Sequence, residues 1–360
     1  MTALSVRHAA QTRYDVLALG EVMLRLDPGA GRIRDASTFD VWEGGGEYNV
    51  ARASAACFGL RAGIVTALVD NEIGQLIAGL IRRGGTDTSQ IMWVPDDGIG
   101  RSARNGLNFT ERGFGVRRAL GVSDRAHTAV SQLRPGDIDW DRLFGAVGAR
   151  WFHTGGVFAG LTAETADVAQ EAMAAAGRHG TVVSYDVNYR PSLWQGRGGA
   201  DAAIEVGRRL TKHADVLIGN VGHFGGLLGV SLPNNGSDDP DIHQIFEATQ
   251  AEFPHLSLIA ATRRTEHSAS RIDWGAAVWD GNQVASCVTH RDLEVFDRVG
   301  GGDGFVAGLL TGILGGRDLD AATALGVAHG ALAMTTPGDN SMAHGDEVEA
   351  LAFGVMANRR

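Results

Sequence analysis

Cysteine is nearly absent: the chain of 360 residues holds two, Cys57 and Cys287. They lie far apart among apolar or small neighbours and read as buried reduced thiols, so neither a disulfide framework nor a cysteine-metal site is expected. Long hydrophobic runs are missing as well, since no stretch approaches about 18 apolar residues. Residues 1–13 are mixed polar and small, without the apolar core of a signal peptide. A cytoplasmic protein with no membrane partner is the expectation. Basic charge is in deficit, 32 Lys+Arg against 42 Asp+Glu for a formal net charge of −10. That balance argues against nucleic acid or an anionic membrane as a partner. No H-E-x-x-H or comparable ligand spacing occurs, so the histidines read as structural. Internal repeats, low-complexity tracts and domain linkers are absent too.

What remains is ordinary globular composition, 44% hydrophobic and 21% charged, with enough length for a large core in one or two domains. Glycine is the exception: its 51 residues are about twice the usual share. They cluster at Gly44-Gly45-Gly46 and Gly300-Gly301-Gly302 instead of recurring with a period, which excludes collagen and points to tight backbone turns.

Short apolar runs alternate with helical patterns along most of the chain. Strands are expected at Asp15–Leu19, Ile64–Val69, Trp151–His153, Val182–Tyr185, Val216–Ile218 and Leu258–Ala260. Helices are expected at Asn49–Phe58, Ile73–Arg83, Glu164–Arg178, Ala202–Lys212 and Ile242–Phe253. Such alternation is the signature of an α/β fold with a mostly parallel sheet covered on both faces. Residues 21–43 and about 93–125 are strand-like but polar, predicting a small antiparallel layer apart from the main sheet. The last third turns helical, with Phe305–Leu314, Leu319–Thr335 and Glu347–Met356.

The sharpest motif is Asp297-Arg298-Val299-Gly300-Gly301-Gly302-Asp303-Gly304-Phe305 before an apolar helix. Three glycines at a helix start offer bare N–H groups at the positive end of a helix dipole, which binds phosphate oxygens without a lysine. A carboxylate directly behind them can accept a proton from an attacking hydroxyl. As an ordinary N-cap, Asp303 would not need three preceding glycines, each costing about 1 kcal/mol in regular structure. No Lys-Ser/Thr follows, so this is no Walker A loop, and the dinucleotide spacing G-x-G-x-x-G fails. A second cluster, Glu43-Gly44-Gly45-Gly46-Glu47-Tyr48-Asn49, combines close backbone approach with an amide suited to hydroxyls; alone, it equally fits a loop-to-helix turn.

Together the two clusters resemble the ribokinase, or PfkB-type, carbohydrate kinases, whose paired signatures are an early G-G-x-x-N-x-A and a late D-x-x-G-x-G-D. The resemblance covers essentially the whole chain, residues 14–358. It is closest to the 2-keto-3-deoxygluconate kinase branch, through Gly20–Leu26, Asp124–Ala129, Asp186-Val187-Asn188-Tyr189-Arg190 with Leu193-Trp194, and a nucleotide loop at Thr262–Trp274. It implies one ribokinase-like domain with a β lid from residues 21–43 and 93–125, and a homodimer.

Asp303 is implied as the base that deprotonates the sugar hydroxyl and contacts the substrate. The Gly300, Gly301 and Gly302 N–H groups are implied as the phosphoryl-binding hole. Gly45, Gly46, Asn49, Arg125 and Arg190 would contact the sugar, while Asn188, Arg190, Asn220, Thr262, Arg263, Ser268 and Asn340 would line the nucleotide site. The implied cofactors are ATP and Mg2+, with a monovalent cation as an option and no metal-ligating residue assigned. Two arginines supply the bidentate donors a sugar acid needs and a neutral sugar does not.

Three departures stand out. The N-x-x-E element reads Asn220-Val221-Gly222-His223, and an imidazole cannot supply the missing negative charge that helps organise Mg2+. Ser123 stands where a tyrosine is frequent, and Gly304 replaces a small side chain, predicting a looser helix start. The expected activity is phosphorylation of 2-keto-3-deoxygluconate to its 6-phosphate. A kinase for fructose or another keto-acid, a non-catalytic sugar- or nucleotide-binding protein, and more distantly an NAD-dependent oxidoreductase are the alternatives.

Overall fold

The structure, a computed structural model, describes residues 4–230, 241–285 and 288–354. Residues 231–240, 286–287 (Cys287 among them) and 355–358 of the expected domain, with the end of the helix expected at Glu347–Met356, lie outside them. Among the described residues the strands are β1 (Tyr14–Leu19), β2 (Met23–Asp27), β3 (Asp40–Gly44), β4 (Ala62–Asp70), β5 (Ile91–Pro95), β6 (Leu107–Glu111), β7 (Leu120–Asp124), β8 (Ala149–Gly155), β9 (Val182–Asp186), β10 (Val216–Asn220), β11 (Leu258–Ser268), β12 (Arg271–Trp279) and β13 (Val288–Glu294). The chain forms two compact units, each assembled from separate stretches. One comprises Met1–Leu17, Leu133–Arg263 and Ala276–Val288; the other comprises Ala18–Gln132, Arg264–Gly275 and Thr289–Arg360.

In the first unit, β8, β9, β10 and β11 run parallel, with Trp151 opposite Val182, Ser184 opposite Val216, and Val216 opposite Leu258. Their residues Trp151, Phe152, Val182, Val183, Val216, Leu217 and Ile259 are buried, which is why these runs are continuously apolar. Helices Ala163–Arg178, Gly199–Thr211 and Ile242–Glu252 alternate with them. The first starts at a capping box: Thr162 Oγ1 accepts from the Thr165 N–H at 3.1 Å, and Thr165 Oγ1 accepts from the Thr162 N–H at 3.0 Å. Because the strands are parallel, β9 and β10 end at one edge, and β11 runs on past it from Thr262 to Ser268. Open α/β sheets present ligand-binding residues at that edge.

In the second unit, β4 and β5 pair in parallel, and a separate four-stranded sheet has the order β3-β2-β6-β7. The small layer is mixed, not antiparallel throughout: β2·β3 and β6·β7 are antiparallel, but β2·β6 is parallel. Two non-sequential strands meet at its centre, and period-2 patterning carries no information about their direction. Trp93–Pro95 belongs to β5 and not to this layer. The segment Thr262–Trp274, expected as a loop, is a hairpin of β11 and β12 turning at Ala269-Ser270.

The helix expected from Phe305 begins four residues earlier, spanning Gly301–Leu314, since glycine's low propensity is overridden by packing. Gly304 does not loosen it. A Cβ there would press within 3.2 Å of Ala333 and Gly330, so glycine allows close approach of the helix Leu319–Ala333. Cys57 is buried, and burial pushes its thiol up to about 12, as expected of an inert thiol.

Candidate active site

The second unit carries the glycine turn. Gly300 caps the helix Gly301–Leu314 at φ +83°, and a Cβ there would collide with the Asp339 carbonyl, so only glycine fits. First-turn N–H groups have no intrahelical partner and lie at the positive end of the macrodipole. Gly302 is exposed, and a Cβ added to it meets nothing within 4 Å, which leaves the turn open to a ligand. Asp303 is the third helical residue, so its carboxylate sits in the same turn as these N–H groups.

Asn49 reaches that carboxylate. Its Nδ2 donates to Asp303 Oδ2 at 2.7 Å, while its Oδ1 accepts from the Gly45 N–H at 3.3 Å. Asn49 is 4% exposed, and Asp303 is half-buried. Expected as a sugar contact, Asn49 has its amide engaged at both ends by protein groups and orients Gly45 and Asp303 together. Gly46 opens the helix Gly46–Ala56 that carries it.

Arg125 is partly spoken for. Its Nε donates to Glu21 Oε2 at 2.8 Å, and its Nη2 donates to the same oxygen. Glu21 is 1% exposed, so its carboxylate is buried against the Arg125 guanidinium, which therefore already has an anionic partner within the protein. Arg104 shapes the adjoining segment, donating to both Asp124 oxygens at 2.9 and 3.1 Å and to the Ala126 carbonyl at 2.8 Å. Sequence reasoning missed Glu21 and Arg104 as site residues, because no local pattern marks a pair separated by many residues.

Asn340, 7% exposed, donates from Nδ2 to the Glu43 carbonyl at 2.7 Å and so ties its loop to β3. Ser268 Oγ accepts from the Ser270 N–H at 3.2 Å within the hairpin turn.

The first unit carries the other predicted residues at the carboxyl ends of β9 and β10 and on the part of β11 beside them. Asn220 ends β10 in register with Thr262 of β11, whose Oγ1 donates to the Gly219 carbonyl at 3.4 Å. Arg263 and Arg190 are exposed. Asn188 follows β9 at φ +27°, a left-handed conformation that asparagine tolerates, and its N–H donates to Asp186 Oδ1 at 3.1 Å.

His223 explains its own departure. The Asn220 side chain accepts from the His223 N–H at 3.1 Å, and the imidazole Nδ1 accepts from the Asn220 N–H at 3.3 Å. Histidine thus makes the reciprocal capping bond usually supplied by glutamate. Burial, with the nearby charge of Arg190, pushes its pKa down to about 4, so the ring is neutral at pH 7. The cap is kept and the negative charge is not. Among the described residues, no group of three or more His, Cys, Asp or Glu is placed to hold a metal ion.

Comparison with known proteins identifies the fold and the family. A structure of 2-dehydro-3-deoxygluconokinase from Thermotoga maritima superposes with TM-score 0.84 at 33% identity, covering 94% of this chain and 98% of that one. A PfkB family carbohydrate kinase from Listeria grayi gives TM-score 0.82 at 25% identity, covering 94% and 99%. A 2-dehydro-3-deoxygalactonokinase of Haloferax volcanii is 27% identical over 341 residues, 94% of this chain and 97% of its own length. The fold is ribokinase-like α/β, a mostly parallel sheet with helices and a small second sheet. Residues 14–344 match the pfkB family carbohydrate kinase pattern, and the chain belongs to this family of sugar kinases.

Proposed function

We propose that this kinase transfers the γ-phosphoryl group of ATP to a hydroxyl of a small keto-deoxy sugar acid, with 2-keto-3-deoxygluconate giving its 6-phosphate. The observation that carries the reading is the hydrogen bond from Asn49 to Asp303 beside an open glycine turn. Asp303 takes the proton of the attacking hydroxyl as the sugar oxygen bonds to the γ-phosphorus and the bond to the β-phosphate oxygen breaks, releasing ADP. The N–H groups of Gly300, Gly301 and Gly302 hold the transferring group and stabilise its charge.

The open turn fits a phosphate. The carboxylate-free Asn220–His223 element and the absence of a three-residue cluster among the described residues do not fit a protein-held magnesium. Mg2+ supplied with the nucleotide would keep phosphate oxygens and water as its ligands. Asn188, Asn220, Thr262 and Arg263 are assigned to the nucleotide, with Ser268 and Asn340 in supporting roles. Gly45, Gly46, Arg125 and Arg190 are assigned to the sugar.

The acid-substrate reading is supported by the names of the Thermotoga and Haloferax relatives and by exposed Arg190. The same proposal covers residues 14–358 as one catalytic domain, a cytoplasmic location where ATP is available, and a homodimer. For the dimer, Val41, Leu26, Phe109 and Val122 lie in register across one face of the small sheet, and Val41 and Val122 are 40% and 48% exposed. Light scattering on the purified chain checks it.

The deciding experiment is ADP release from Mg-ATP with 2-keto-3-deoxygluconate, fructose, ribose and gluconate. Fastest turnover with the keto-deoxy acid is expected. Preference for a neutral sugar would sink the substrate assignment.

A further inference from the structure

Beneath the glycine turn lies an ionic cluster that the proposed chemistry does not use. Arg25 of β2 is 1% exposed and faces three carboxylates. Its Nη1 donates to Asp339 Oδ1 at 2.7 Å, and its Nη2 donates to Asp27 Oδ2 at 2.9 Å and to Asp297 Oδ2. Arg112 approaches Asp27 Oδ2 at 3.2 Å from Nε, its guanidinium lying 4.6 Å over the Phe296 ring. Burying four charges, with the half-buried Arg112 beside them, is a poor route to stability, because desolvation offsets most of the Coulomb gain. A planar guanidinium with donors in a fixed fork is, however, a good way to set geometry.

What this fork sets is the turn. Asp297 stands three residues before Gly300, and its carboxylate accepts from the Val299 N–H at Oδ1 and the Gly338 N–H at Oδ2, both at 3.3 Å. Asp339 carries the carbonyl that fills the space a Cβ on Gly300 would need. One side chain from a strand of the small sheet therefore fastens the segment leading into the turn and the loop packed against it.

We propose that Arg25 is a positioning residue: by tying Asp297 and Asp339 together it holds the Gly300–Gly302 N–H groups in the conformation that receives a phosphoryl group. This rests on the phosphate-binding reading of the turn, and the test separates the two. In the full chain, Arg25→Lys keeps a cation but cannot reach three carboxylates at once. Hydrogen exchange is measured at the amides of Phe296, Asp297, Val299, Gly304 and Gly338, all hydrogen-bonded around this loop, together with kcat and both KM values.

We expect these amides to exchange about tenfold faster. Turnover should fall about 100-fold while both KM values stay within about threefold, since a misplacement near 1 Å has that cost. A merely structural residue would lower the melting temperature without such a split. Unchanged exchange in the folded variant overturns the tether. Faster exchange with kcat within about twofold overturns its service to catalysis. A wild-type chain without sugar-dependent turnover overturns the phosphate reading, and the exchange result still decides the tether. Should Arg25→Lys fail to fold, Asp339→Asn keeps the shape and removes one charge. Unchanged exchange and kcat in that variant overturn the proposal.

Discussion

Replacing Asn49 by alanine removes the donor that holds Asp303 while leaving the glycine turn intact. The lost interaction is a hydrogen bond to a carboxylate at 2.7 Å. Bonds to charged groups contribute about 1.5–3 kcal/mol, and because Asp303 is half-buried the lower part of that range applies. At about 1.4 kcal/mol per tenfold in rate, kcat should fall about 10- to 30-fold. The nucleotide KM should hold, since the turn N–H groups are untouched. Steady-state ADP release at saturating sugar measures both.

Asn49→Asp makes a sharper test, because it sets two carboxylates within hydrogen-bonding reach. Their repulsion is about 4 kcal/mol at 4 Å in an effective dielectric of about 20, so the pair retains a proton at neutral pH. Its loss of activity should exceed that of Asn49→Ala and recover as the pH is raised. A kcat within about threefold of wild type for Asn49→Ala, or a matching rise in nucleotide KM, would show that Asn49 does not position the base.

Other consequences can be checked on the same preparations. Asp303→Asn should cut turnover by at least about a thousandfold while calorimetry still detects ATP binding; retained turnover would remove Asp303 as the base. Arg125→Met should lower both activity and melting temperature, because it strands the buried Glu21, whereas exposed Arg190→Met should raise the KM for an acidic sugar with little effect on melting. Equal melting losses would contradict this division. His223→Glu should keep the helix cap and lower the Mg2+ concentration needed for half-maximal rate; an unchanged requirement would mean the missing charge is immaterial.

Acid should destabilise the fold through its buried histidines. Burial pushes His153 down to about 3 and His329 to about 4. The unfolded chain protonates them near pH 6.5, so their contribution is present above that value and is lost as the pH falls from about 6.5 toward 4. Urea denaturation at pH 8, 6 and 4.5 should show a progressive loss of several kcal/mol, and a flat profile would refute it.

Legibility in the sequence followed the range of the interaction. Val182–Tyr185 and Val216–Ile218 could be read as buried strands because a strand covered on both faces must be apolar throughout, which is a local property. The glycine turn was equally plain, since positive φ at Gly300 requires a residue without Cβ. Its helix starts four residues before Phe305, because the helix Leu319–Ala333 packs on it and outweighs glycine's propensity. In the hairpin at Thr262–Trp274 the first strand is masked by polar, exposed residues from Arg263 to His267, while the second alternates, with Ile272 and Trp274 buried.

By itself, then, the sequence determined the α/β class, the alternation of strand and helix, and the two glycine clusters with Asp303 and Asn49 beside them. Each is encoded by neighbours a few residues apart, through backbone sterics and hydrophobic periodicity. Only the tertiary structure decided that Asn49 faces Asp303 and that Glu21 answers Arg125. It alone turned β2 and β6 parallel, and brought Asp27, Asp297 and Asp339 to Arg25. Those contacts join side chains as many as 314 positions apart. Their energies depend on burial and distance, which folding creates and no local pattern records.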